Sequence, residues 1–188
     1  MICDTIGVVD DLSRLARDAA AGDRIALADF VAATQAEVWR LCAHLVDRAS
    51  ADDLTQETYL RAIPALAGFR GESSPRTWLL QIARYTCADA IRRRRRRRVL
   101  FERLRREERP GVVSGGEMEL DDLMACLHPD RRAAFVLTQV LGVGYAEAAE
   151  ICDCPVGTIR SRVARARGDL IAALRDGDEL DESSAVQG

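Results

Sequence analysis

"DCPVGTIRSRVARARGDL", residues 153–170, is the stretch that decides how this chain is read. Stepped at 100° per residue, Val156, Ile159, Val163, Ala166, Leu170 and Leu174 fall within an arc of about 80°. That is an apolar stripe meant for burial on one side of a helix. The opposite side carries Gly157, Thr158, Arg160, Ser161, Ala164, Arg165 and Gly168. Its centre is small residues, with Arg160 and Arg165 on the flanks. A helix of this shape can press its backbone into a groove and reach outward with guanidinium forks, as major-groove reading requires. Pro155 suits a helix start. "YAEAAEIC" before it is short and Ala-rich, so a second helix can cross it closely. Asp153 between them tolerates the left-handed conformation of a tight turn. The pattern predicts a helix-turn-helix. On this segment alone, a surface helix with solvated arginines fits as well.

The rest of the chain is helical in composition. Its 188 residues suffice for one large domain or two small ones. Ala and Leu abound and aromatics are 5%, which favours helices over sheets. Every basic residue besides the two histidines is Arg. The net charge of −3 becomes +2 without Asp176, Asp178, Glu179, Asp181 and Glu182 of the C-terminal tail. An acidic pI therefore leaves room for a polyanionic partner, the more so because Arg92 to Arg98 are seven consecutive arginines. The six cysteines are scattered, and Cys152 and Cys154 form C-x-C with no histidine near in sequence. They read as small buried or half-buried hydrophobes in a reduced, cytoplasmic protein, with no metal and no cofactor. No leader-like or membrane-length apolar run is present.

Helices are predicted over 10–21, from an Asp23 cap to about 46, over 51–66 behind a Ser50 cap, and from Pro75 into the arginine run. Residues 103–119 turn charged and then rich in Gly, Ser and Pro. Four short helices follow: "ELDDLMACL", "HPDRRAAFVLTQVLG", "YAEAAEIC" and the opening stretch. The expected architecture is all-α: a helical domain over 10–98, a flexible linker over 99–118, a helix-turn-helix domain over 119–175 and an acidic disordered tail over 176–188.

On the wheel of residues 51–66, Ala51, Leu54, Thr55, Thr58, Tyr59, Ala62, Ile63 and Leu66 share one half. Leu60 lies on the other, ringed by Asp53, Gln56, Glu57 and Arg61. An apolar anchor inside a polar rim fits a protein-binding patch, and a plain solvated face is the alternative. In "FRGESSPRTW", Phe69, Arg70, Arg76 and Trp78 lie close together, as a clamp for unpaired bases would; Trp78 also fits a core position beside Ile82. The arginine run would relieve its self-repulsion on a phosphate backbone. No Walker loop, Gly-x-Ser-x-Gly or metal-spaced His cluster is present, and an enzyme finds no support. A stand-alone helix-turn-helix regulator or an RNA binder remains compatible with parts of the chain.

"SADDLTQETYLRAI", "FRGESSPRTWLLQIAR" and "YAEAAEICDCPVGTIRSRVARAR" together resemble the extracytoplasmic-function (ECF) sigma factors of the sigma-70 superfamily. The likeness runs from about residue 25 to 175. It implies a non-enzymatic subunit that joins core RNA polymerase and directs promoter-specific initiation. By this resemblance Asp53, Gln56, Glu57, Leu60 and Arg61 dock on the β′ clamp helices. Phe69, Arg70, Ser73, Ser74, Arg76 and Trp78 help open the −10 element, and Arg84, Arg92 and Arg93 lie along its duplex. Thr158, Arg160, Ser161, Arg162 and Arg165 read the −35 element, while the second domain meets the β-flap tip. An anti-sigma factor is a further partner that the family allows, and no membrane is expected. The long arginine run and the acidic tail depart from the shared pattern.

Overall fold

The computed structural model describes residues 4–104, 123–124 and 126–185, which hold seven α-helices and no strand. Helix α1 (Asp4–Ala20) starts six residues before the expected position, since no proline interrupts residues 4–10. Gly22, at φ 99, turns the chain into α2 (Arg24–Leu45). Asp23 caps α2, accepting hydrogen bonds from the Ile25 and Ala26 amides at 2.8 and 3.1 Å. Ser50 does not cap α3 (Ala51–Leu66). Asp47 instead accepts the Ser50 amide at 2.8 Å and tightens a 3₁₀ turn (Arg48–Ser50) that runs straight into α3. The Ser50 hydroxyl is left to accept from Arg94.

Pro75 begins α4 (Pro75–Leu104) as expected, with Ser74 as its cap: the Ser74 hydroxyl accepts the Thr77 amide at 3.0 Å. Helices α2, α3 and α4 pack on one another, and α1 lies across α2. Phe30, Val38, Leu41, Leu79 and Leu80 are fully buried among them. Helix α4 continues to Leu104, so the front of the expected linker is helical; Arg is a good helix former, and carboxylates of neighbouring elements neutralise part of the run. Residues 105–118 of that linker lie outside the described residues.

In the C-terminal half, α5 (Pro129–Phe135) passes into a π turn (Val136–Val140), where one longer helix was expected. The Leu141 amide donates to the Val136 carbonyl at 2.9 Å, and Gly142, at φ 67, breaks the run. Of the helix expected over 119–127, Leu123, Met124, Cys126 and Leu127 are described; the three apolar residues are buried and Cys126 is exposed. Helix α6 (Tyr145–Cys152) and α7 (Val156–Ala185) complete the fold.

Three expectations about exposure and order are corrected. Ile63 is 41% exposed, because it sits about a quarter-turn from the centre of α3's buried arc. Leu174 is 49% exposed, because beyond the Arg131–Asp169 ion pair at 2.6 Å α7 runs past the core that covers it. The tail over 176–185 is helical as part of α7; no proline stops it, and Glu, Leu and Ala favour continuation. Residues 186–188 lie outside the described residues.

Candidate nucleic-acid interface

Helices α6 and α7 cross through a three-residue turn built as the sequence suggested. Asp153 is the one non-glycine at positive φ among the described residues (φ 51, ψ 55). The left-handed step lets the Cys154 amide donate back to the Ala149 carbonyl at 3.0 Å, closing α6. Pro155 then supplies the carbonyl that accepts from the Thr158 and Ile159 amides. Ala148, Ala149 and Ile151 of α6 bury against Ile159, Val163 and Ala166 of α7. Small residues on α6 permit this close crossing.

The outer face of α7 is open. Gly157, Arg160, Ser161, Ala164, Arg165 and Gly168 are exposed and Thr158 is half-buried. Among the described residues, no hydrogen bond or ion pair engages the guanidinium groups of Arg160 and Arg165, both of which are exposed. The Ser161 hydroxyl turns back to the Thr158 carbonyl at 2.9 Å. Arg162 differs from the other two: it donates to Cys154 Sγ at 3.5 Å and to Asp130 at 3.2 Å. It braces the turn against α5 rather than pointing into solvent. Cys154 is half-buried and Cys152 buried, where burial pushes the Cys152 thiol up to about 11.

On the N-terminal half, Leu60 is 68% exposed on α3, beside exposed Asp53, Gln56 and Arg61. Glu57 is half-buried and holds two partners, Arg61 at 2.6 Å and Arg93 at 3.0 Å. Arg61 also reaches Asp89 at 2.9 Å, and Arg92 bonds Asp89 as well. Hydrogen bonds from Arg92 and then Arg61 hold the Asp89 carboxyl below its usual range. Burial works to raise Asp47, but hydrogen bonds from Arg94 and Ser50 outweigh it and leave it low too. Arg93 and Arg94 thus tie α4 to α3 and the turn before it, while Arg92 bonds Asp89 within α4.

The expected −10 residues divide in two. Phe69 and Trp78 form a tilted aromatic pair with ring centroids 5.2 Å apart, both partly buried against the core. Trp78 is therefore both a packing residue and the wall of the loop. Arg70 is exposed, Ser73 is half-buried, and Ser74 serves as the α4 cap. Arg76 and Arg84 are occupied by the helix-turn-helix itself. Arg76 lies between Glu37 of α2, which accepts from its Nε at 3.0 Å, and Glu147 of α6, which accepts from its Nη1 at 3.1 Å. Thr77 donates to Glu147 at 2.9 Å, and Arg84 Nε donates to the Ile151 carbonyl at 2.8 Å. One flank of α4 is thus covered by α6.

Sequence reasoning missed two residues here. Glu147 was read only as part of a helix. Tyr85 is 42% exposed, with the Arg84 guanidinium 4.4 Å from its ring centre. A wheel of α4 puts Tyr85 in line with Trp78 and Arg92, and that signal could have found it. Among the described residues no group of His, Cys, Asp and Glu is arranged to hold a metal ion, and no helix is long and apolar enough to cross a membrane.

Two family models match the chain: sigma-70 region 2 over residues 30–97 and sigma-70 region 4 over residues 117–170. The chain is 49% identical over 176 residues to the ECF RNA polymerase sigma factor SigC of Mycobacterium tuberculosis, covering 89% of this chain and 93% of the relative. It is 34% identical to the ECF RNA polymerase sigma-E factor of Haemophilus influenzae, over 78% of this chain and 86% of that one. Among solved structures, CnrH in complex with the cytosolic domain of CnrY superimposes with a TM-score of 0.69 at 27% identity, covering 89% of this chain and 99% of CnrH. With the region 2 match falling on α2–α4 and the region 4 match on the helices through α7, the chain belongs to the ECF sigma factors of the sigma-70 family.

Proposed function

We propose that this sigma factor joins core RNA polymerase through the Leu60 face and reads promoter DNA with two surfaces separated by the linker. Leu60 is the anchor on the β′ clamp helices, with Asp53, Gln56, Glu57 and Arg61 as its rim. Phe69, Arg70, Ser73, Trp78 and, in addition, Tyr85 hold unstacked bases of the −10 element, while Arg76, Arg84, Arg92 and Arg93 meet its phosphates. The α7 face reads the −35 element: Arg160 and Arg165 contact base edges, Thr158 and Ser161 line the approach, and Arg162 positions the turn. The second domain meets the β-flap tip. The chain works in the cytoplasm, where the polymerase is.

One observation carries this reading: the outer face of α7 is small at its centre and exposed, with Arg160 and Arg165 on its flanks, while Ile159, Val163 and Ala166 of its inner face are buried. That is the shape of a groove reader and not of a core helix. Because α6 occupies Arg76 and Arg84, those two reach DNA only when α4 and α6 separate, and binding to polymerase is the step that separates them. The RpoE sigma factor of Bartonella quintana is solved with the anti-sigma factor NepR; a partner of that class is proposed for this chain as well. Run-off transcription with purified core polymerase tests the proposal. Addition of this subunit should convert scattered starts into starts at defined promoters, and unchanged start sites would refute it.

A further inference from the structure

Arg76 meets two carboxylates, and they differ in kind. Glu147 stands on α6 and, on the proposed function, departs with it. Glu37 stands on α2, which packs directly on α4, and remains. Glu37 takes one side of the guanidinium group. Its Oε2 accepts from Nε at 3.0 Å, and its Oε1 accepts from Nη2 and, at 3.2 Å, from Nε. The Nη1 edge is left to Glu147, at 3.1 and 3.2 Å. A side-on pairing of this kind fixes the plane of the fork. Both partners stand on packed backbone. Glu37 is half-buried beside buried Thr34, Val38 and Leu41, and Arg76 lies in the first turn of α4, next to buried Thr77, Leu79 and Leu80. The hydrogen bond to Glu37 is also the largest influence holding the Arg76 guanidinium above its usual value.

We infer that Glu37 is a positioning residue for the −10 strand: it holds Arg76 with only the Nη1 edge turned outward, so that a single phosphate takes the seat of the Glu147 carboxylate once α6 departs. The inference rests on the proposed function, which sets Arg76 against −10 phosphates. An unrestrained arginine follows a charged backbone loosely, because its long side chain can reach more than one phosphate. Held from one side, Arg76 accepts a phosphate in one place, and that place is fixed relative to Trp78 in the same turn of α4. Glu37 also cancels the charge of Arg76, so the contact acts through geometry more than through counterion release. The pair thereby supplies strand register.

Holoenzyme and a single-stranded −10 oligonucleotide provide the test, with each phosphate in turn replaced by an uncharged methylphosphonate. In the parent, one position should lose affinity about tenfold or more, the worth of a hydrogen bond to a charged group, and Arg76→Gln should abolish that loss. Glu37→Gln should spread it over neighbouring positions, each losing only a few-fold. The slope of log K against log salt should also steepen by about 0.7, since one positive charge is uncovered against a single strand. Glu72→Gln removes the same charge from the exposed loop before α4; it should steepen the slope and keep the single sharp position. Should Glu37→Gln not fold, Glu37→Asp, with its carboxylate drawn back by one methylene, must still widen the profile. A purely structural role for Glu37 would weaken all positions evenly, and even weakening or an unchanged profile would overturn the inference while selective initiation still stands. If the sharp position survives Arg76→Gln, or the parent holoenzyme does not initiate selectively, the underlying reading fails and this one with it.

Discussion

Glu147→Gln offers the sharpest test of how the two halves are held together. Its carboxylate accepts from Arg76 at 3.1 and 3.2 Å and from Thr77 at 2.9 Å. The side chains of Arg76 and Glu147 are 30% and 28% exposed. A hydrogen bond to a charged group is worth about 1.5–3 kcal/mol when buried, and a fully exposed ion pair about 0–1 kcal/mol. At this partial exposure the pair contributes about 1–2 kcal/mol to the closed arrangement. Glutamine keeps the shape and the Thr77 contact but loses the charge, so the open fraction should rise about 5–30-fold. Apparent affinity of the free subunit for −10 DNA, read by fluorescence anisotropy, should rise by the same factor while closed molecules dominate. Removing a negative charge also helps DNA binding nonspecifically, so Thr77→Val serves as the neutral counterpart. It deletes one hydrogen bond to Glu147, worth about 1 kcal/mol, and should raise affinity about 5-fold. Small-angle scattering of both variants should show an expanded particle. If neither affinity nor radius of gyration changes in either variant, Glu147 does not hold the closed form and the reasoning fails.

Other expectations follow from single residues. Leu60→Asp should weaken core polymerase binding by about 2–4 kcal/mol, with circular dichroism unchanged because Leu60 is 68% exposed; a loss of helicity would make Leu60 a core residue. Arg165→Ala should cost about 1–3 kcal/mol at the −35 element with relaxed sequence preference, whereas an equal loss on every sequence would indicate a phosphate contact. Asp47 and Asp89 are both held below their usual value of 3.8. Depressed folded-state values mean that their contribution is complete above that pH and is lost as pH falls through them. Urea titrations between pH 6 and 2.5 should show a steep decline below pH 4 that Asp47→Asn/Asp89→Asn flattens.

Helical periodicity made the faces of this molecule legible but not their margins. A residue such as Leu60 or Ser161, directly opposite a buried arc, has its exposure decided within its own helix. Ile63 and Leu174 depend on where a neighbouring helix stops covering them, and local pattern carries no record of that. Helix ends were misjudged for a related reason. Ser50 has the chemistry of a cap, but Asp47, three residues earlier, reached its amide first. The turn at Asp153 was readable because a left-handed step narrows the choice of residue. The pairing of Arg76 with Glu147, across 71 residues, was not; neither neighbourhood hints at the other.

That hidden pairing follows from the chemistry that made Arg76 a candidate DNA contact. A guanidinium fork shaped for phosphate is equally matched to a carboxylate. A surface built to grip melted promoter DNA is thus open to any acid that a neighbouring domain can bring within reach, and Glu147 does so from the first helix of the DNA-reading motif. The arginine run faces the same problem further along α4. There Asp89, Glu57 and Asp47 engage Arg92, Arg93 and Arg94 in turn. Identical residues therefore acquire different partners from the 100° step between them, and those held by carboxylates, such as Arg92 and Arg93, must exchange an acid for a phosphate when DNA binds.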